Sequence, residues 1–368
     1  MKSKKLHIFV SPLDWGLGHA TRMIPLIHAL RERGHKVTLG AGRNGTALLS
    51  QEFPELEIIP LPSFSIKYPL KGNLVWAVMK QLPGFFATIR REKRKISQLQ
   101  KKQHFDVIIS DNRYGLYHPD VFSVIVTHQL MLKLPPSMKY LEKWVYKRHM
   151  KMLKKYNRCW VPDYAQRPFL SGDLAHLFPI NDTTAFIGPL SRFSIGYCEQ
   201  EPTEYLYDVI AVLSGPEPAR TRFETKIIEQ LSATDLKCVL VRGVPITSNE
   251  ISVPDNITVY NHLPACDLKQ LIQQSKYIVS RTGYSTIMDL AALKRTAILI
   301  PTPGQTEQEY LSSYYSEKKL FLCFKEDELN IQEALSQITL YQWNLNYPPI
   351  NLLEKELDLL EAQISSRT

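Results

Sequence analysis

LHIFVS at positions 6–11, PLDWGLG at 12–18, HATRMIPLIHALRER at 19–33, Gly34 and HKVTL at 35–39 decide the fold. The first run is short and nearly all apolar, which reads as a buried strand. Asp14 to Gly18 is a glycine-containing loop. Residues 19–33 space their apolar side chains as an amphipathic helix. Gly34 stands where a helix C-cap belongs, and Lys36 opens a second strand. Strand, crossover helix and strand make one βαβ unit.

The same rhythm continues outward. Strands are expected at 56–61, 107–110, 121–127 and 159–161. After a restart near residue 205 they follow at 207–213, 238–242, 257–260, 277–280, 297–301 and 320–324, with helices between several. Such alternation predicts parallel sheets covered on both faces. The expected fold class is α/β, with two doubly wound Rossmann-like domains facing across a cleft. An N-terminal domain is expected at 1–190, a linker at 191–204 and a C-terminal domain at 205–345. A C-terminal helix at 346–368 is expected to pack back on the first domain.

Composition bounds the function. The 368 residues are 44% hydrophobic and 22% charged, enough for large cores and against a disordered or fibrous chain. No apolar run approaches the ~20 residues of a membrane span, and residues 1–5 lead into a strand too short for a signal peptide. The five cysteines are widely spaced, odd in number and without a C-x-x-C pair. They predict a reduced, cytoplasmic protein without structural zinc. Residues 1–198 hold 30 Lys and Arg against 13 Asp and Glu, a net +17, whereas residues 199–368 hold 15 against 23, a net −8. Halves of opposite charge point to different partners, a solvated basic surface being the simpler reading.

In open α/β sheets ligands bind beyond the carboxyl ends of strands, so the loops there carry the candidate chemistry. In the first loop, Gly16 and Gly18 permit close backbone approach, and the following helix end favours an anion. His19 there suits a general base, with Asp14 and Asp111 as alternatives; a histidine merely capping the helix is the plainer reading. A dinucleotide site wants an acid after the second strand, where Gly40-Ala41-Gly42-Arg43 stands instead; NAD is disfavoured and Arg43 keeps only NADP open. In the SRTGYSTIMDL segment (280–290), a small-residue turn opens a helix. The amides around Thr282, Gly283, Ser285 and Thr286 suit a diphosphate, and Asp289, one turn in, suits ribose hydroxyls. Gln305, Gln308 and Glu309 offer groups to a sugar, and Ser214 and Gly215 to phosphate. Asp111, Asn112 and Arg113, with His128 and Gln129, follow strands of the first half and are expected to contact the acceptor.

Together, SRTGYSTxxDLAAL, the ILIP strand and the glutamine-containing helix start resemble the GT-B glycosyltransferases. The likeness is greatest to family 28, which includes the lipid-linked N-acetylglucosamine transferase of peptidoglycan synthesis. The resemblance spans most of the chain and is better in its C-terminal half. It implies an inverting transfer of a sugar, N-acetylglucosamine among the candidates, from a UDP-sugar donor to a lipid-linked or glycan acceptor. It implies no cofactor and no metal, and no compact Asp-x-Asp argues for one. By position, His19 matches the histidine of the N-terminal glycine loop, and Ser214 and Gly215 the diphosphate loop. His262 and Leu263 match the segment against the nucleobase, Asp289 a ribose-binding glutamate, and Gln308 and Glu309 two glutamines on the donor sugar. Three departures stand out: aspartate at 289 is one methylene shorter, Glu309 replaces a glutamine, and the first loop is less glycine-rich. A UDP-sugar epimerase or hydrolase on the same scaffold, and a non-catalytic nucleotide-sugar-binding protein, are the alternative readings.

The basic half has its own pattern. Lys139, Lys143, Lys147, Lys151 and Lys155 recur every four residues, with Leu141, Trp144, Val145 and Met152 on another face. Apolar residues 74–79, Pro83, Phe85 and Phe86 precede Arg90, Arg91, Lys93, Arg94 and Lys95. Aromatic groups beside cations suit peripheral contact with an anionic membrane, at the inner face of the cytoplasmic membrane. Nucleic acid is not expected, because no module for it accompanies the charge.

Overall fold

The computed structural model describes residues 5–64, 74–194, 204–246, 251–347 and 351–366, with side chains from residue 80 onward in the helix that opens at Leu74. Most of the expected linker (195–203), the apolar side chains of 74–79 and Cys198 lie outside these residues.

Two parallel sheets organise the chain. The first holds β1 (His7–Ser11), β2 (Lys36–Ala41), β3 (Ile58–Pro60), β4 (Val107–Asp111), β5 (Phe122–Val126), β6 (Arg158–Val161) and β7 (Thr184–Phe186), in the order 3-2-1-4-5-6-7. The second holds β8 (Tyr207–Val212), β9 (Cys238–Val241), β10 (Ile257–Tyr260), β11 (Ser275–Arg281), β12 (Ile298–Ile300) and β13 (Leu322–Cys323), in the order 10-9-8-11-12-13. The helices are α1 (Gly18–Glu32), α2 (Arg43–Glu52), α3 (Leu74–Gln103), α4 (Glu142–Leu153), α5 (Asp173–His176), α6 (Ala219–Ser232), α7 (Ala265–Gln273), α8 (Tyr284–Leu293), α9 (Thr306–Glu317), α10 (Ile331–Gln337) and α11 (Leu352–Ser365).

The first unit comprises Met1–Asp14, Arg22–Leu190 and Tyr347–Thr368; the second comprises Trp15–Thr21 and Ser191–Asn346. In the first, Ile8 sits between Val37 and Val107, and Val10 between Leu39 and Ile109. Every residue of β4 and β5 is buried, so these strands need apolar side chains toward both faces. In the second, Val209, Ala211, Phe223, Ile227, Val279 and Ile298 form one apolar core. Strand order reverses between β1 and β4 in one sheet and between β8 and β11 in the other. Those two reversals place the loops that matter.

Several expectations change. β3 and β13 are shorter than their apolar runs, because edge strands have a partner on one side only. β7 was not foreseen: Thr-Ala-Phe is too short to show a period, and pairing with β6 creates it. Cys266 is disulfide-bonded, whereas Cys159, Cys238 and Cys323 are free, so the fully reduced chain expected from spacing is corrected. Spacing along a chain carries no information on which thiols folding brings together. On α4 the inward face is Glu142, His149, Met150 and Leu153, whereas Trp144 is 57% exposed under the Arg148 guanidinium. No helix among the described residues is long and apolar enough to cross a membrane.

α11 belongs to the first unit. Leu353, Leu357, Leu360 and Ile364 recur on one face and are buried. Arg33 holds the opposite edge, pairing with Glu354, Asp358 (2.7 Å) and Glu361 (2.9 Å), while His35 reaches Glu361 at 3.1 Å. Arg33→Ala is expected to lower stability by about 1–2 kcal/mol and to speed amide exchange along α11. Urea denaturation and exchange read by mass spectrometry check it, and wild-type values in both would show the clasp to be inert.

Candidate active site

At the carboxyl edge of the second sheet, β8 runs into Leu213-Ser214-Gly215. Gly215 has φ +114°, and nothing stands within 4 Å of where a Cβ would be. A side chain is strained there by its backbone alone, and the open space lets a ligand reach the main chain. β11 ends at Arg281 and turns through Thr282-Gly283 into α8. The first amides of α8 have no partner within the helix, and its N-cap residue, Gly283, makes no side-chain cap. An anion placed there meets main-chain N–H groups and the positive end of the helix dipole. β12 leads through residues 301–305 into α9, which opens on Gln305.

Besides Arg281 Nε at the end of β11, four polar atoms on these strand-end segments are buried without a hydrogen-bond partner: His262 Nε2, Thr282 Oγ1, Thr302 Oγ1 and Gln305 Oε1. An unmade buried hydrogen bond costs about 1–3 kcal/mol, so most folded proteins avoid it. Four on one sheet edge mark a surface shaped for a polar ligand. Burial, and secondarily the Arg192 charge, push the His262 imidazole down to about 4, so it is neutral at pH 7.

Around this edge the expected ligands divide. Gln308 Oε1 accepts from the Thr302 amide at 2.7 Å, which orients its Nε2 toward Gly283, 4.0 Å from the position of a Cβ there. Glu309 accepts from the Gly304 amide at 2.8 Å and shapes the loop. Asp289 is buried, accepting from Ser191 Oγ at 2.7 Å and Arg192 Nε at 3.1 Å. Burial raises its carboxyl above the ordinary value, while Arg192 and Ser191 pull it back. The sequence reading placed that carboxylate free for ribose; in the fold it already anchors the strand-to-linker residues. Ser285 likewise gives its hydroxyl to the Gly18 carbonyl, at 2.7 Å, in place of a phosphate oxygen. Trp15–Thr21, with Gly16, Gly18 and His19, thus falls in the second unit.

The reversal point of the first sheet is built differently. Asp111 is fully buried in a two-pronged pair with Arg22, Nε to Oδ2 at 2.7 Å, and Arg22 also meets His128 Nδ1 at 2.9 Å. Arg113 is buried against Glu92 (2.9 Å) and the carbonyls of Pro12 and Pro62. Asp14 accepts from the Gly45 amide at 3.1 Å in the first turn of α2, and burial raises its carboxyl. Asp14 and Asp111, expected as alternative bases, are therefore committed to framework contacts. The physical reason is that an unpaired carboxylate does not survive burial. The Gln129 main-chain N–H donates to Thr127 Oγ1 at 3.2 Å, and Asn112, at φ +51°, keeps a buried Oδ1 without a partner. Among the described residues no group of three or more His, Cys, Asp or Glu has the arrangement of a metal site.

Sequence reasoning missed Arg22, Thr302, Ser191 and Arg192. Arg22 sits in the quoted 19–33 run and Thr302 just after the ILIP strand, and both carry the right chemistry; only the fold shows what they face.

Residues 224–353 match the glycosyltransferase family 28 C-terminal domain. A protein of Sulfurihydrogenibium sp. is 20% identical over 336 residues, 89% of this chain and 87% of that one. It is named UDP-N-acetylglucosamine–N-acetylmuramyl-(pentapeptide) pyrophosphoryl-undecaprenol N-acetylglucosamine transferase. A protein of the same name from Exiguobacterium sibiricum is 31% identical over 118 residues, 30% of this chain and 32% of that one. Among solved structures, the glycosyltransferase of kitacinnamycin superposes with a TM-score of 0.61 at 16% identity, covering 99% of this chain and 96% of that one. The fold is GT-B, and the chain is a glycosyltransferase carrying a family 28 C-terminal domain.

His262 gives a pH test. Its folded value near 4 lies below the ~6.5 of an unfolded histidine, so below pH ~6.5 the unfolded chain takes up a proton that the folded one refuses. This group therefore lowers stability progressively as pH falls from about 6.5 to about 4, and has no effect above. His262→Gln should gain on wild type between pH 7.5 and 5 in urea midpoints; a constant difference would show that His262 protonates freely.

Proposed function

We propose that this glycosyltransferase moves a sugar, N-acetylglucosamine first among candidates, from UDP to a lipid-linked or glycan acceptor, with inversion and without a required metal. The row of four unpartnered buried polar atoms beside the open Gly215 turn carries the reading. The four residues lie within the stretch that matches the family 28 C-terminal domain, which supports a donor site there, the Gly215 turn lying nine residues before it. The name of the Sulfurihydrogenibium relative supports UDP-N-acetylglucosamine and a lipid-linked pyrophosphate acceptor.

In this reading the donor diphosphate lies on the amides of Ser214-Gly215 and the first turn of α8, reached by Thr282 and Thr286. His262 and Leu263 face the base, and Gln305, Gln308 and Glu309 the sugar. His19 takes the proton from the acceptor hydroxyl. That oxygen bonds to the anomeric carbon from the face opposite the departing phosphate, and the anomeric C–O bond breaks with its electron pair leaving on UDP. The charge that grows on the diphosphate meets preoriented amides and a helix dipole, an electrostatic contribution often larger than any other in catalysis. The base contributes a further ~10²–10⁴ in rate.

His19→Ala is expected to leave UDP binding, read as a thermal shift, within about twofold of wild type while transfer from UDP-N-acetylglucosamine falls ~10²-fold or more. Weakened UDP binding with intact turnover would reassign His19 to the donor. Free sugar formed without acceptor would replace transfer by hydrolysis.

The exposed side chains Leu82 and Phe86 on α3 and Trp144 on α4 stand on elements that also carry exposed Arg90, Arg91, Arg94, Lys143 and Lys147, and exposed Tyr140 lies just before α4. This grouping supports contact with anionic lipid at about 1 kcal/mol per basic residue. Co-sedimentation with vesicles containing phosphatidylglycerol should exceed that with neutral vesicles and fall with salt; equal binding to both would remove the membrane from the account.

A further inference from the structure

Gly18 directly precedes His19, and its carbonyl accepts from two hydroxyls. Thr21 Oγ1 reaches it from one turn on at 3.0 Å, and Ser285 Oγ from the first turn of α8 at 2.7 Å. The second contact joins residues 267 positions apart. The packing is close: a Cβ on Gly18 would lie 3.1 Å from Ser285 Oγ, and one on Gly16 would lie 3.9 Å from Gly215 Cα. The loop that carries His19 therefore rests on the two segments proposed to hold the diphosphate.

From this we infer that Ser285 is a positioning residue, whose hydroxyl ties the His19 loop to the helix end that receives the leaving group. The inference rests on the proposed transfer with His19 as base. A serine hydroxyl has one proton to donate. Here it goes to the Gly18 carbonyl, so it is not available to a phosphate oxygen in the same geometry. α8 has no side-chain cap at Gly283, and Ser285, which in many helices would bond locally, turns outward instead. The consequence is a constant spacing between the base and the helix amides. A displacement of ~1 Å at such a spacing can cost ~10² in rate, so even one hydrogen bond matters to turnover. When Ser285 is truncated, the Gly18 carbonyl keeps its bond from Thr21 Oγ1, so no buried acceptor is orphaned and the variant folds.

Ser285→Ala should lower kcat for transfer from UDP-N-acetylglucosamine on the order of tenfold, with donor KM and UDP Kd within about twofold of wild type. Ser285→Thr, which keeps the hydroxyl, should recover most of the loss. In a His19→Ala background, Ser285→Ala should have no further effect, because the group it positions is gone. A raised donor KM or UDP Kd with kcat intact would assign the hydroxyl to the phosphate and overturn positioning. Unchanged kcat, equal losses in the Ala and Thr variants, or additive losses with His19→Ala would overturn it too. Should wild type transfer no sugar from UDP-N-acetylglucosamine, the donor reading fails by itself, and amide exchange at residues 17–21 decides the anchoring. Faster exchange in Ser285→Ala than in wild type supports it, and identical exchange refutes it.

Discussion

All strands in each sheet run parallel, and that constraint organises everything else. A parallel strand can be followed by another only through a crossover, so every strand-to-helix loop emerges at the same edge. At that edge helix N-termini collect, each with free amides and a positive dipole end. In the second unit the reversal between β8 and β11 opens a gap in the row of loops, and the Gly215 turn and the α8 terminus border it. An anion-binding edge is thus a property of the topology, before any particular side chain is considered.

Side chains then divide the edge into framework and unfilled positions. Asp111, Arg22, Arg113, Glu92 and Asp14 are buried and mutually satisfied, and removing one partner would leave an uncompensated charge. These groups hold the first unit's loops in place. His262 Nε2, Thr282 Oγ1, Thr302 Oγ1 and Gln305 Oε1 are buried and unsatisfied, a cost that the fold bears. Carboxylates look like the obvious catalytic groups in a sequence, yet here they are mostly framework. Those four unfilled positions belong to neutral residues, and Arg281 Nε beside them is also without a partner.

Legibility in the sequence followed the range of the interaction. Central strands were readable because burial on both faces favours a near-continuous apolar run, as in β4 and β5, where only Ser110, Asp111 and Ser123 are polar. The glycine loop at 14–18 and the 282–286 turn were readable because their chemistry is local to the backbone. β7 was not, since three residues carry no period, and the inward face of α4 was not either, because a helix face does not declare what it meets. Asp289 shows the same boundary within the site: its type and position suggested ribose, but Ser191 and Arg192, 98 and 97 residues away, already occupy the carboxylate.

What the sequence by itself determined was the α/β class, the two-part layout and the loops that carry chemistry. Apolar periodicity, glycine conformational freedom and helix-start signals all act within about a dozen residues. Tertiary structure alone decided which polar atoms were satisfied. Arg22 finds Asp111 across 89 residues, and Gly18 meets Ser285 across 267. Hydrogen bonding acts over about 3 Å of space, whatever the length of chain between its partners.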